Sequence, residues 1–250
     1  MSEGDIRKLL LDKGQGLFDA PPQKPIIFTH VKAANLLLSD LERYSHAFVL
    51  ACVMDRQMKA ELAWLIPHRL EQKLEGFAFP KLAQLSLSDW GQLMRYPEPL
   101  HRFPDLMAEN LFHAVRRLEL AYGGDASRIW EGRPASATVV YRFLEFQGVG
   151  PKIATMAANI LARDFKIPLS DHYSIDVSVD RHVRRVFIKL GLVPDDATDE
   201  KIIYRARSLS PEYPGLLDLP SWEIGRNWCH PHDPDCAACY MRRVCPSSVA

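Results

Sequence analysis

The sequence predicts an all-α protein, on three observations. Apolar residues recur at helical spacing along nearly the whole chain, only one short stretch reads as extended, and 18 prolines with paired glycines cut the pattern into helix-length pieces. Taken in order, Val31 to Tyr44 places Ala33, Leu36, Leu37, Leu38 and Leu41 on one broad stripe. His46 to Leu74 keeps the period through Phe48, Leu50, Met54, Met58, Leu62, Leu65, Ile66 and Leu70, with Pro67 expected to split it into two helices. Leu87 to Met94 opens with Ser88 as its expected N-cap, and Pro104 to Tyr122 is a long amphipathic segment closed by Gly123 and Gly124. Ser136 to Glu145 and Lys152 to Asp164 flank a short glycine turn. Val179 to Leu190 ends at Gly191, and Asp199 to Ser208 follows. Lys24 to Thr29 is the one extended piece. The periodicity gives about ten helices.

The chain has 250 residues, 47% hydrophobic and 25% charged, the make-up of a globular protein with room for one large domain or two small ones. No run approaches the roughly 18–20 apolar residues of a membrane span. Met1-Ser-Glu-Gly-Asp-Ile-Arg-Lys8 lacks the apolar centre of a secretory signal, so a cytoplasmic location without membrane attachment is the expectation. Formal net charge is zero, and any nucleic-acid contact must rest on local patches: Arg116–Arg117, Arg181 to Arg185, and Arg242–Arg243. Each of these is otherwise a solvated helix face.

Four of the five cysteines fall in one short loop near the C-terminus, Cys229, Cys236, Cys239 and Cys245, spaced C-x6-C-x2-C-x5-C. Thiolates this close in sequence can converge on one centre, and soft sulfur ligands select zinc or an iron–sulfur cluster. Spacing alone leaves both metals open, with two disulfides as a third reading that a reducing compartment disfavours. Cys52 lies on an apolar helix and reads as a buried core thiol.

A second feature is Phe146-Gln-Gly-Val-Gly-Pro-Lys-Ile-Ala154, between two helical stretches. Gly148 and Gly150 allow a sharp reversal, and Pro151 suits a first helical position because it needs no N–H partner. Bare amides at a helix N-terminus make a phosphate-sized anion site, the way a helix-hairpin-helix element grips a nucleic-acid backbone without reading sequence. An ordinary helical corner uses the same residues. Lys152 stands at the mouth of this turn, either as a charge for phosphate or as a nucleophile.

Gly148-Val-Gly-Pro-Lys-Ile-Ala154, then Val179-Asp-Arg-His-Val-Arg-Arg-Val186, then the four-cysteine loop, occur in the order of the endonuclease III family of helix-hairpin-helix DNA glycosylases. The chain resembles that family over about residues 45 to 246, more strongly in its second half. The resemblance implies two helical lobes around a DNA-binding cleft: residues 45–165 with the hairpin, and residues 1–44 plus 166–250 with the metal centre. It implies a monomeric base-excision-repair DNA glycosylase with AP-lyase activity, acting on duplex DNA that holds a damaged base or abasic site. Lys152 matches the lysine that distinguishes the bifunctional members, and Asp180 the essential aspartate of the Val-Asp motif. Gly148, Val149 and Gly150 match the DNA-gripping hairpin, with His182 placed to contact DNA or to pack. The thiol loop matches a [4Fe–4S] cluster loop residue for residue, leaving His230 and His232 outside the ligand set. Independently of the resemblance, Asp180 is a good helix N-cap. A monofunctional glycosylase with an Asp180-activated water, and a non-catalytic metal-stapled DNA-binding module, are the competing readings.

Three departures from the pattern stand out. The interval from Lys152 to Asp180 is longer than is usual, and the added stretch, Leu169 to Ser178, contains Asp171 and Asp176. Asp176, after Ile175, is the alternative acid. Pro151 stands where the family carries a basic residue. The stretch Cys52 to Met58, where members supply a polar side chain to fill the gap left by a flipped base, offers Asp55, Arg56 or Gln57, and Gln57 is the residue carried forward.

Overall fold

The computed structural model describes residues 2–248. Among these there are helices and no strands. The order is α1 (Glu3–Asp19), α2 (Lys32–Ser39), α3 (Leu41–Met54), α4 (Ala60–Ala63), α5 (Ile66–Leu74), α6 (Phe79–Ala83), α7 (Leu87–Arg95) and α8 (Pro104–Tyr122), then α9 (Ser136–Leu144), α10 (Pro151–Arg163), α11 (Arg181–Lys189), α12 (Asp199–Leu209) and α13 (Asp218–Asn227). Short 3-10 turns at Ala126–Ile129 and Pro214–Leu217 precede α9 and α13. The all-α expectation holds.

Several boundaries differ from the sequence reading, each for a local reason. Val31 to Tyr44 is interrupted at Asp40, whose carboxylate accepts the Arg43 N–H at 3.0 Å and starts α3. Pro67 sits in the first turn of α5, where no N–H is required, so the chain does part just before it, between α4 and α5; a further break, not expected, falls at residues 55–59. Ser86, rather than Ser88, caps α7: Asp89 N–H donates to Ser86 Oγ at 3.2 Å, and Ser86 N–H to Asp89 Oδ2 at 2.8 Å, a reciprocal capping box. Lys24 to Thr29 forms no strand; its chain turns so that the Phe28 and Thr29 amides both donate to Asn35 Oδ1 at 3.0 Å.

Two apolar cores organise the chain. In the first, α3 is buried from Ser45 to Met54, a helix apolar on all sides and therefore enclosed by its neighbours. Ile153, Ala154, Ala157, Ala158 and Leu161 of α10 share that core, and Leu37 and Leu38 bring α2 into it as well. The second core joins Val183, Val186 and Phe187 of α11 to Ile202 and Ala206 of α12, Ile224 of α13, and Ile6 and Leu10 of α1. Burying each such aliphatic or aromatic side chain contributes about 1.5–3 kcal/mol. The α11–α13 crossing is close: a Cβ on Gly225 would lie 2.7 Å from His182 Cβ. The added stretch near 169–178 is a packed strap between the two cores. Ile175 is fully buried, Asn159 Nδ2 donates to the Asp176 carbonyl at 2.9 Å, and the Gly215 N–H donates to the Ile175 carbonyl at 2.8 Å.

Candidate active site and metal centre

The hairpin turn needs its first glycine twice over. Gly148 has φ +81°, and a Cβ there would stand 2.6 Å from Asn110 Nδ2 and 2.8 Å from Arg56 Nη1. Sequence reasoning missed that Arg56 brings its guanidinium against the hairpin. Val149 anchors the turn instead of offering its amide. Its side chain is buried and its N–H donates to the Phe146 carbonyl at 3.0 Å. The Gly150 N-cap and the first turn of α10, where Lys152 and Ile153 follow Pro151, carry the amides that a helix leaves without internal acceptors.

Lys152 Nζ lies 3.5 Å from Asp55 Oδ2, an ion pair in which the lysine is partly exposed and the aspartate buried. Asp55 therefore faces inward and is not free to enter a DNA duplex. Gln57, two residues on, is exposed, with its backbone in the left-handed region at φ +49°. The loop thus sends Asp55 to the lysine, Arg56 to the hairpin and Gln57 outward.

Asp180 is the N-cap of α11: its Oδ1 accepts the His182 and Val183 amides, both at 2.8 Å. Asp218, at the start of α13, accepts the Ser178 N–H at 2.6 Å. Burial pushes its carboxyl up to about 6, against the pull of the Ser178 amide and of the Arg163 guanidinium. The Asp180 carboxylate and the Lys152 ammonium also act on it, so both lie within electrostatic reach of this one buried group. No motif marked Asp218; the only sequence signal is an acid inside the apolar run Gly215-Leu-Leu-Asp-Leu219. Asp176, the alternative acid, is taken by a bidentate pair with Arg207 at 2.7 and 2.8 Å. Asp171 is bonded to Ser136 Oγ. His182 is half-buried on α11, with Nδ1 3.0 Å from Arg185 Nη2 and its ring edge-on to Trp222.

Cys229, Cys236, Cys239 and Cys245 line one cavity with Trp228 and Met241, while Cys52 is fully buried in the first core. The four loop thiols are unpaired and partly buried. Burial pushes Cys229, Cys239 and Cys245 up, and neighbouring thiols of the set add to it. Among the described residues no three His, Cys, Asp or Glu side chains close on a single-ion site. Arg185 ties the loop to α11 by donating to the Cys229 carbonyl at 2.5 Å and the Gly225 carbonyl at 2.6 Å.

The structure superposes on that of a trapped endonuclease III–DNA covalent intermediate with a TM-score of 0.66, at 18% identity, covering 99% of this chain and 97% of that one. The chain has the fold of the endonuclease III family. A thermostable thymine-DNA glycosylase structure matches at a TM-score of 0.64 and 16% identity, over 98% of this chain and 97% of that one. In sequence, endonuclease III of Thermotoga maritima is 28% identical over 138 residues, covering 55% of each chain. Endonuclease III homolog 2, chloroplastic, of Arabidopsis thaliana is 27% identical over 154 residues, 56% of this chain and 33% of that protein. The chain thus spans between a third and about half the length of these curated relatives. No protein-family profile matches it. The resemblance carried by the hairpin, Val-Asp and cysteine motifs is borne out in the helix-hairpin-helix DNA glycosylase fold.

Proposed function

We propose that the protein is a base-excision-repair DNA glycosylase with AP-lyase activity, acting as a monomer on duplex DNA that carries a damaged base or an abasic site. The observation that carries this reading is a shared neighbour: the Lys152 and Asp180 charges, from the hairpin helix and from the start of α11, both act on the buried Asp218. The target nucleotide is flipped toward these two groups, while hairpin amides and Arg56 hold the backbone and Gln57 fills the gap in the stack. Gly148, Val149 and Gly150 shape the grip, and His182 on α11 is a further candidate for a DNA contact. Positive charge grows on the sugar as the glycosidic bond lengthens, and the fixed Asp180 carboxylate stabilises it. Lys152 Nζ bonds to C1′ as the base leaves with the bonding pair; the C1′–O4′ bond then opens with its pair on O4′, which takes up the proton shed by Nζ, and the resulting Schiff base permits β-elimination of the 3′ phosphate. Asp55 aims the amine and is the nearest base to take its proton. No described helix is long and apolar enough to cross a membrane; a cytoplasmic site beside the DNA suits this role.

Borohydride trapping on abasic-site DNA tests the reading. A covalent adduct forms with the wild type and is lost in Lys152→Ala. The Asp55–Lys152 ion pair favours a second reading, in which the lysine stays charged and Asp180 activates water. Base release with no trapped adduct in the wild type would establish that reading instead.

The thiol loop is proposed to hold a [4Fe–4S] cluster. The donor chemistry fits: four unpaired thiols wall one cavity, the soft sulfur donors that an iron–sulfur centre takes. When bound, the cluster serves as a structural brace and takes no part in bond breaking. Purified protein is expected to absorb broadly near ~400 nm and to contain iron and inorganic sulfide. A colourless zinc protein from an anaerobic preparation rejects the assignment.

A further inference from the structure

Asp218 is absent from the chemistry above, although both groups proposed to perform it act on its charge. It is 9% exposed and opens α13, and its Oδ1 holds the Ser178 N–H at 2.6 Å. Ser178 lies two residues before Asp180, whose own carboxylate is committed to the first amides of α11. The turn between them is therefore gripped at both ends, by Asp218 at Ser178 and by the helix start at Asp180. Two hydroxyls on the segments that meet here, Ser178 Oγ and Ser221 Oγ, are buried without a hydrogen-bond partner among the described residues. Lys152 and Arg163 face Asp218 from α10, Asp180 from the start of α11, and Tyr213 from the turn before α13. Arg163 is shared, since it also pairs with Asp164 at 2.7 Å.

We propose that Asp218 is a positioning residue for Asp180, fixing the Ser178–Asp180 turn and adding a second buried negative charge beneath the flipped nucleotide's sugar. The charge part rests on the glycosylase reading; the positioning part does not. Asp218 belongs to none of the motifs that carry the family resemblance.

Two substitutions separate the roles. Asp218→Asn keeps an oxygen for the Ser178 N–H but cannot ionise, whereas Asp218→Leu removes both. Single-turnover base release by the wild type is expected to rise with pH through about 6, where Asp218 ionises. In Asp218→Asn that limb disappears and the plateau falls about tenfold, with affinity for abasic-site duplex unchanged. Asp218→Leu falls further, because the turn loosens. An Asn variant whose pH limb and plateau superimpose on the wild type overturns the proposal. Should the wild type release no base from any lesion, the glycosylase reading fails, and urea unfolding then reads Asp218 alone. A buried carboxyl whose affinity for protons is raised by folding stabilises the fold at acid pH, and that contribution is lost as pH rises through about 6. The wild type is expected to show this loss and Asp218→Asn to lack it. Identical slopes in the two proteins overturn the proposal without reference to catalysis.

Discussion

Gln57 shows how a single residue can be held in a costly conformation by its neighbours. Its φ of +49° lies in a region that non-glycine residues enter rarely, and its side chain is exposed, so no packing of its own explains the strain. The residues before it do. Asp55 is fixed by Lys152 and Arg56 lies against the hairpin glycine, so the chain must turn sharply to reach Lys59 and α4. Gln57→Gly is expected to stabilise the protein by about 0.5–1 kcal/mol, because glycine takes this conformation freely. The same variant loses the group proposed to fill the duplex and should release base more slowly. Urea midpoints and single-turnover excision measured together check this. A glycine variant that is both less stable and fully active contradicts it. Of the three candidates at 55–57, sequence alone could not choose, since burial decides which one points outward and burial is set by distant α8 and α10.

Helix α11 joins a structural duty to the proposed chemical one in one side chain. Asp180 caps the helix through two amides, and the apolar face Val183, Val186 and Phe187 seats it in the second core, while Arg181, Arg184 and Arg185 remain on the polar side. An Asn at 180 still offers an oxygen to the amides but no charge to the sugar. Asp180→Asn is therefore expected to keep stability within a few tenths of a kcal/mol of wild type while excision collapses. Asp180→Ala should lose about 1 kcal/mol as well as activity. Thermal unfolding beside excision rates separates the two; an active Asn variant removes Asp180 from the chemistry. Elements whose stop and start signals are written locally were legible in sequence. Gly123 closes α8, Pro151 opens α10 and Thr198 caps α12, all within a residue or two of the expected ends. Ser86 was misread as Ser88 because two serines stand within three residues and only the partner Asp89 distinguishes them. Helices α1 and α13 were not delimited; glycines at 14 and 16 interrupt the apolar pattern of the one, Pro220 and Gly225 that of the other, and the faces are completed by contacts with each other and with the turn at Pro214–Leu217.

At the scale of the whole molecule, the motifs named the lysine, the acid and the thiols, but not what joins them. The hairpin belongs to the first core and Asp180 to the edge of the second; the strap around Ile175 ties the two through Asn159 and Gly215. That strap is the added stretch the family pattern did not anticipate, and its acids serve structure: Asp176 is held by Arg207 and Asp171 by Ser136. The thiol loop reaches the site through the second core as well. Arg185 spans from α11 to the Cys229 and Gly225 carbonyls, and Cys245 Sγ lies 3.6 Å from the Lys189 carbonyl at the end of α11. The loop is seated on the second core by Met241, Trp228, Tyr240 and Val244, and the proposed cluster would add the bonds that fix its four thiols to one another. Removing iron should therefore loosen α11 and α13, whose tight crossing at Gly225 the loop covers, and leave α3 and α10 in the first core protected. Hydrogen exchange before and after iron chelation measures this directly. Faster exchange in α11 and α13, with α3 unchanged, is the expected pattern, and Asp180 would lose its fixed place as the α11 N-terminus frays. Uniform loosening of both cores would instead mean that the two form one cooperative unit, with the loop bracing all of it.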